Sequence, residues 1–498
     1  MQKMRTPIVR FATPFLQNKF LEPSSSPRPL IHPATGQPWA HVTDATPALV
    51  DESVKHARAA LATTWGLHST AAQRRDILLQ AAAKIREHAA ELAELEAHNA
   101  GKPLGDARDD VEYVAGCFQY FAEQAGWLEQ TSEGAEVSLS GGKRGYTVKE
   151  PAGVCAQILS FNYPLSLAAW KVAPALATGN CIILKPAAQT PLTALYLAHL
   201  FTLAPHPLPP GVLSVLPGGA DVGRALAEHP DVDRISFTGS TAVGRAILRS
   251  SADSNLKRPT LELGGKSAMI VTEETDPVEV AREVVGACFT NTGQNCCAGT
   301  RLLVQRGAFD RVLAAVQDEM RRIRVVGPEE ESEEERRREG LRIGPLIDEA
   351  QFARVQRFLD TARAEGDEIL VGGGPVAREG YFVHPTLIRV RSDESTVARE
   401  EVFGPVLSVL PAFDTLDEAI DRANASPFGL GAGVFTRDRA QAAYLVPRLQ
   451  AGTVWVNCYN YTPVGLPFGG YKQSGFGKDL GPECLHEYVN VKSIMTNF

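Results

Sequence analysis

Hydrophobic positions divide the chain into stretches of different period. Over residues 71–99, Leu78, Leu79, Ala82, Ile85, Leu92 and Leu95 recur at helical spacing, and Gly101 and Pro103 follow in the order of a C-cap and a breaker. That pattern predicts one long amphipathic helix. A second helix is predicted over 106–130, carrying Phe118, Phe121 and Trp127. The next stretch, 138–149 (SLSGGKRGYTVK), sets short extended pieces about a Gly-Gly pair and reads as a hairpin projecting from the body.

From 151 onward the period alternates. Apolar strand-like runs at 154–159, 181–185, 212–216 and 234–237 are separated by helical runs at 164–178, 191–202 and 220–228. Short continuous apolar strands between helices indicate a parallel sheet covered on both faces. A second α/β region is expected over about 266–470, with strand candidates at 268–271, 301–304 and 406–410, and the end of the chain, 488–497, is again extended. The run GPEEESEEERRREG (327–340) reads as a solvated surface segment. No repeat of solenoid period is present.

Composition narrows the class. A chain of 498 residues accommodates two to four structural units, and 44% hydrophobic with 22% charged residues is an ordinary globular balance. A net charge of -8 argues against a nucleic-acid groove. The eight cysteines form no CxxC and no Cys/His set with zinc spacing, so no metal site is expected. Adjacent Cys296 and Cys297 suit a reducing compartment, which points to the cytoplasm. No run of eighteen apolar residues exists, so no membrane span is expected. The first twenty residues hold four basic side chains and no acid, and read as a short leader before the first folded element.

Four local patterns carry candidate chemistry. Cys296 sits in FTNTGQNCCAGT (289–300), where small residues let a ligand approach a thiol; a cysteine in such surroundings is more often a small core residue. Glu262, in LELGGK (261–266), lies between two leucines. A carboxylate there either reaches solvent at a strand edge or is a buried general base with a raised pKa. GSTAVG (239–244) follows a strand and opens a helix, so its glycines and amides can face a phosphate, although it is not the GxGxxG fingerprint. Asn162, in SFNYP (160–164), follows a strand end, where its amide could serve an oxyanion or simply a turn.

Read together, these patterns and their order resemble the aldehyde dehydrogenase superfamily over nearly the whole chain from about Pro29. The matching runs are 151–180, KPAAQTP (185–191), FTGSTAVG (237–244), LELGGKS (261–267), NTGQNCCAGTR (291–301), EEVFGPV (400–406) and PFGGYKQSGFGK (467–478). The resemblance implies an α/β fold in three parts. These are a Rossmann-like cofactor domain (1–132 and 152–264), an α/β catalytic domain (265–472) and a small β oligomerisation arm (133–151 and 473–498). It also implies a homodimer or homotetramer.

The resemblance further implies oxidation of an aldehyde to the acid by NAD or NADP through a thiohemiacetal and thioester on Cys296. Asn162 would hold the oxyanion and Glu262 would activate water. Lys171 and Asp479 match positions that relay the proton, where the family usually has Glu in place of Asp479. For the cofactor, Lys185 matches the lysine at the adenosine ribose. Gly239, Ser240 and Gly244 match the pyrophosphate-binding helix start, while Phe161, Glu401 and Phe403 match the surroundings of the nicotinamide and its ribose. Ala188 stands where NAD-selective members carry Glu, which implies tolerance of NADP.

Tyr163, Trp170, Thr290, Cys297 and Phe468 match positions lining the aldehyde tunnel. Thr290 replaces a bulky aromatic, and the loop 458–466 has no basic residue. A neutral aliphatic or aromatic aldehyde is therefore the first expectation. Asp110 and Glu112, in DDVEYVAGCF, resemble part of the acidic entrance of aminoaldehyde and betaine aldehyde dehydrogenases, although Tyr113 replaces one acid; a cationic aldehyde is the alternative. Three rivals are weaker. A catalytically silent relative would lack Cys296, Glu262 or Asn162. A CoA-acylating member would lack Glu262. A cysteine hydrolase would need a histidine in these runs.

Overall fold

The computed structural model describes residues 12–132, 137–138, 143–328, 330 and 340–497. The Gly-Gly pair of the expected hairpin, and residues 329 and 331–339 of the 327–340 charge run, lie outside the described residues.

Two large sheets organise the chain. The first has eight strands. Its parallel core is ordered Leu213–Val215, Cys181–Lys185, Val154–Ile158, Arg234–Thr238, Arg258–Glu262, and all residues of the first four of these are buried. Burial on both faces is why these strands read as unbroken apolar runs rather than alternating ones. Successive strands step outward from Val154–Ile158 in one direction, then Arg234–Thr238 starts again on its other side. This reversal of strand order leaves a crevice beyond the carboxyl ends of Val154–Ile158 and Arg234–Thr238, the place where open α/β sheets bind ligands.

The second sheet has seven strands, including Ser267–Val271, Gly299–Val304 and Val406–Val409, with Gly431–Phe435 and Thr453–Val456 on the other side. Glu262 ends a strand of the first sheet, and Ser267 begins a strand of the second four residues after Leu263. The carboxyl edge of one sheet thus meets the amino edge of the other. A three-stranded sheet pairs Val489–Thr496 with Arg144–Pro151, and that strand with Val137–Ser138.

Several expectations are revised. Residues 71–99 form two helices, Ala71–Glu87 and Ala89–Ala100, which meet at His88 (φ -104, ψ 21). The apolar spacing continues across the break. A single non-helical residue redirects the second helix so that Glu96 and Asn99 turn inward with Leu92 and Leu95. The next helix is Leu104–Glu123, and a turn before Trp127 separates it from Trp127–Ser132. Phe15–Leu16, read as leader, instead pairs with Lys19–Phe20 and with Leu213–Val215 in the first sheet. Gly475–Phe476, expected with the arm, pairs antiparallel with Leu261 and Glu262 on the far edge of that sheet. Two-residue strands like these carry no readable period, so only long-range pairing reveals them.

Candidate active site

Two cavities meet at Cys296. One encloses about 220 Å³ and is lined by Phe161, Gly239, Ser240, Glu262, Glu401 and Phe403, with Gly264, Gln351 and Arg354 among its other walls. The second, about 350 Å³, is lined by Tyr163, Trp170, Thr290, Cys297 and Phe468, and by Lys102, Asp106, Asp109 and Asp110. Asn162, Thr238 and Cys296 line both.

Cys296 reaches the junction on a distorted segment. Asn291, Thr292 and Gly293 all have positive φ (53°, 59° and 68°), a left-handed path that is costly for the two non-glycine residues. The cost is offset by anchoring bonds: Asn291 Nδ2 donates to the Asn162 carbonyl at 2.9 Å, and Thr292 and Gly344 exchange bonds at 3.0 and 3.1 Å. The thiol and the amide residue are therefore positioned by one shared contact. The Cys296 thiol is pushed well above its ordinary pKa, first by hydrogen bonding with Cys297, then by burial and by the nearby Glu262 and Glu401 carboxylates.

Glu262 is only 4% exposed and neither carboxylate oxygen has a partner. Burial, then the charge of Asp479, hold it well above the usual carboxylate range, against the pull of Lys171 and Lys478. The space beside it is kept open by Gly469, where an added Cβ would come within 2.7 Å of Glu262 Oε1. Lys171 and Asp479 do not line either cavity. They form a buried ion pair at 2.6 Å behind Glu262. A buried, unpaired carboxyl whose affinity for protons is raised has the attributes of a general base or acid.

The first cavity has features that fit a dinucleotide. Ser240 caps the helix Thr241–Asp253, accepting from the Val243 N–H, so that helix start opens onto the cavity with its amides. The Phe161 and Phe403 rings meet edge to face at 5.7 Å and wall one end. Glu401 accepts from the Gly265 N–H at 3.0 Å, and burial raises its pKa to about 7. Lys185 and Ala188 are outside this cavity's wall; Lys185 lies at the end of its strand with its ammonium donating to the Pro186 carbonyl, and burial lowers its pKa to about 8 against the pull of Asp44 and Asp221. Ala188 follows on the same connection. Gly244 is not in the cavity wall; it lets the helix approach Leu263, which a Cβ would meet at 2.8 Å.

Sequence reading missed several lining residues. Gln351 donates to the Phe403 and Val402 carbonyls at 2.7 and 3.1 Å, and Arg354 to the Glu401 carbonyl at 2.6 Å. Both hold the turn in which Phe403 adopts a positive φ of 59°. They are polar residues on an amphipathic helix, Glu349–Glu365, and nothing local distinguishes them from solvent-facing ones. Lys102 and Asp106 were likewise indistinguishable from ordinary surface charges. Among the described residues, no cluster of potential ligands could hold a metal, and no helix is long and apolar enough to cross a membrane.

Comparison with known proteins gives a consistent result. The model of the aldehyde dehydrogenase family matches residues 20–494. The chain is 42% identical over 470 residues to human mitochondrial aldehyde dehydrogenase, covering 94% of this chain and 88% of that one. It is 41% identical over 468 residues to human 4-trimethylaminobutyraldehyde dehydrogenase, covering 93% and 91%. The NAD+ complex of an aldehyde dehydrogenase from Bacillus cereus superposes with a TM-score of 0.93 at 37% identity, covering 99% of each chain.

Proposed function

The chain belongs to the aldehyde dehydrogenase family and oxidises an aldehyde to the carboxylic acid with NAD(P)+, and on that premise we propose how its residues divide the reaction and which aldehyde they accept. The carrying observation is that Cys296 and Asn162 line both cavities, with Glu262 beside them. Cys296 Sγ, its proton released to water, bonds as thiolate to the aldehyde carbon. The Asn162 amide and the Cys296 backbone N–H hold the oxyanion that develops. NAD(P)+ would supply the hydride acceptor and a positive charge that favours the thiolate. Glu262 takes the proton from the water that cleaves the thioester; burial sets most of its raised proton affinity, and the Lys171–Asp479 pair adjusts it.

Lys185 and Glu401 would hold the two ribose groups, Gly239 and Ser240 the pyrophosphate, and Phe161 and Phe403 would flank the nicotinamide. Ala188 leaves room for a 2'-phosphate. We assign the cofactor unit to 1–132 and 152–264, the catalytic unit to 265–472, and the arm to 133–151 with the strand Val489–Thr496. Val491 and Met495 are 63% and 74% exposed on the outer strand of the arm sheet, which supports a homodimer or homotetramer. Replacing both with lysine should yield monomers by light scattering; an unchanged mass would remove the arm from the interface. Eight free cysteines support a reducing compartment, and hence the cytoplasm.

The aromatic walls Tyr163, Trp170 and Phe468 favour a neutral aliphatic or aromatic aldehyde. Asp106, Asp109 and Asp110 favour the second reading, a cationic aminoaldehyde, in line with the name of one human relative. The test is a panel of neutral, cationic and anionic aldehydes with NAD+ or NADP+, with and without CoA, following the reduced cofactor. Turnover that requires CoA, or none with any class, would overturn the proposal.

A further inference from the structure

The aldehyde cavity is lined by four charged side chains: the carboxylates of Asp106, Asp109 and Asp110 and the ammonium of Lys102. Lys102 is the unusual member. Its side chain is 2% exposed, yet it carries a charge into the cavity wall. A buried ammonium is tolerated only when it is paired, and Lys102 is paired on two sides. Asp110 Oδ2 lies 2.5 Å from Nζ and Glu96 Oε1 lies at 3.8 Å. The ammonium also sits 4.5 Å from the centre of the Tyr163 ring, the aromatic wall next to Asn162.

Local structure explains the placement. Gly101 ends the helix Ala89–Ala100 and Leu104 begins the next, so Lys102 lies on a tight connection and turns back toward both helices. Its two carboxylate partners have different duties. Glu96 is fully buried, accepts from the Thr193 hydroxyl at 2.8 Å and the Leu165 N–H at 3.3 Å, and so braces the helix that follows Tyr163. Asp110 is half-buried and borders the cavity.

Resting on the assignment of this cavity as the aldehyde tunnel, we propose that Lys102 sets the tunnel's charge selectivity. Its ammonium cancels one of the three aspartate charges, that of Asp110, and braces Tyr163, so the entrance keeps a net charge of two rather than three and uncharged aldehydes compete better with cationic ones. The field of a charge within low-dielectric walls reaches across a cavity this narrow, and one unit of charge there shifts the preference for a charged tail by about an order of magnitude. A purely structural ion pair would lower turnover of every aldehyde alike. A charge-setting one changes their ratio.

The experiment measures kcat/KM with NAD+ for chain-length-matched neutral, cationic and anionic aldehydes, at low and high salt. The enzymes are the unaltered protein, Asp110→Asn, Lys102→Met, Lys102→Arg and the Lys102→Met/Asp110→Asn double variant. In Asp110→Asn the cationic-to-neutral ratio should fall about tenfold and the anionic-to-neutral ratio should rise. In Lys102→Met both ratios should move the opposite way. Lys102→Arg and the double variant, which keep the local charge balance, should stay within about threefold of the unaltered ratio, and high salt should compress all differences. If Lys102→Met does not fold because Glu96 and Asp110 lose their cation, Asp110→Asn and Lys102→Arg decide between them. Ratios unchanged in Asp110→Asn, with neutral aldehyde still oxidised, would overturn the role of Lys102 and leave the tunnel assignment standing. An unaltered protein that oxidises none of the three would remove the assignment itself.

Discussion

The ammonium of Lys171 and the carboxylate of Asp479 lie 2.6 Å apart in the interior, joining residues 308 positions apart in the chain. Each is anchored a second time. The Lys171 carbonyl accepts from Gln157 at 2.8 Å, and Asp479 exchanges both backbone hydrogen bonds with Phe468, at 2.7 and 2.9 Å. The pair therefore ties the buried side of Glu262 to Phe468, a wall of the second cavity.

Replacing Asp479 with Asn should move the titration of Glu262. Asp479 raises the Glu262 pKa and Lys171 lowers it, so removing the negative charge leaves the lowering effect of Lys171 unopposed and brings the pKa down. Glu262 would then be ionised at lower pH, and the acid limb of thioester hydrolysis should shift downward. Lys171→Met should shift it upward. The measurement is the pH profile of steady-state turnover under conditions where hydrolysis limits it; a shift in the same direction for both variants would refute the coupling. Each should also lose ~3–5 kcal/mol of stability in denaturant titrations, because a buried charge is left unpaired.

Glu262→Gln should separate the two halves of the reaction. Reduced cofactor should appear in a burst of about one equivalent per active site, followed by turnover slowed ~10²–10⁴-fold, since only the water-activating group is lost. Cys296→Ser should show no burst. Asn162→Ala should reduce the burst rate itself by ~10²–10³. A Glu262→Gln enzyme with no burst but intact folding would place Glu262 in the first half instead.

Cofactor choice should be weak. With Ala188 in place of an acid, the ratio of kcat/KM for NAD+ over NADP+ should stay below about a hundred, ~2.7 kcal/mol of discrimination. Ala188→Glu should raise that ratio by repelling the 2'-phosphate. Equal ratios in the two enzymes would show that position 188 does not meet the ribose.

Gly475 faces Glu262 across the last strand pair of the first sheet, with a φ of 116° and no room for a side chain against the Leu261 carbonyl. Gly475→Ala should cost ~1–3 kcal/mol from backbone strain and steric displacement, read as a lower Tm. Because the strand that carries Glu262 is its neighbour, hydrolysis of the thioester should slow as well. An unchanged Tm would mean that the edge strand relaxes freely.

Short-range patterns made much of this protein legible. The strand Cys181–Lys185 and the helix Ala220–Glu228 have the same bounds in the sequence pattern and in the structure, because each has a compact apolar run ended by a strong breaker or cap. Cys296, Glu262 and Asn162 stood out only when the wording around them was read together; each alone had an ordinary explanation. His88 carries no sequence signal of a break because the helical period is the same on both sides of it. Phe15–Leu16 and Gly475–Phe476 carry no signal of a strand because two residues have no period. Gln351, Arg354 and Lys102 carry no signal of a site because a polar side chain on a helix or turn looks the same whether it faces water or a cavity.

Amino-acid order thus specified most of the longer elements and marked Cys296 and Glu262 as candidates, since periodicity, caps and motif wording are properties of neighbours along the chain. It could not specify that Cys296 closes two cavities at once, that Asp479 reaches Lys171, or that Lys102 is held among Glu96, Asp110 and Tyr163. Those relations depend on which surfaces the packed sheets bring together. Burial and the lowered dielectric that follows from it then give ordinary charged side chains their altered proton affinities and their leverage on the reaction.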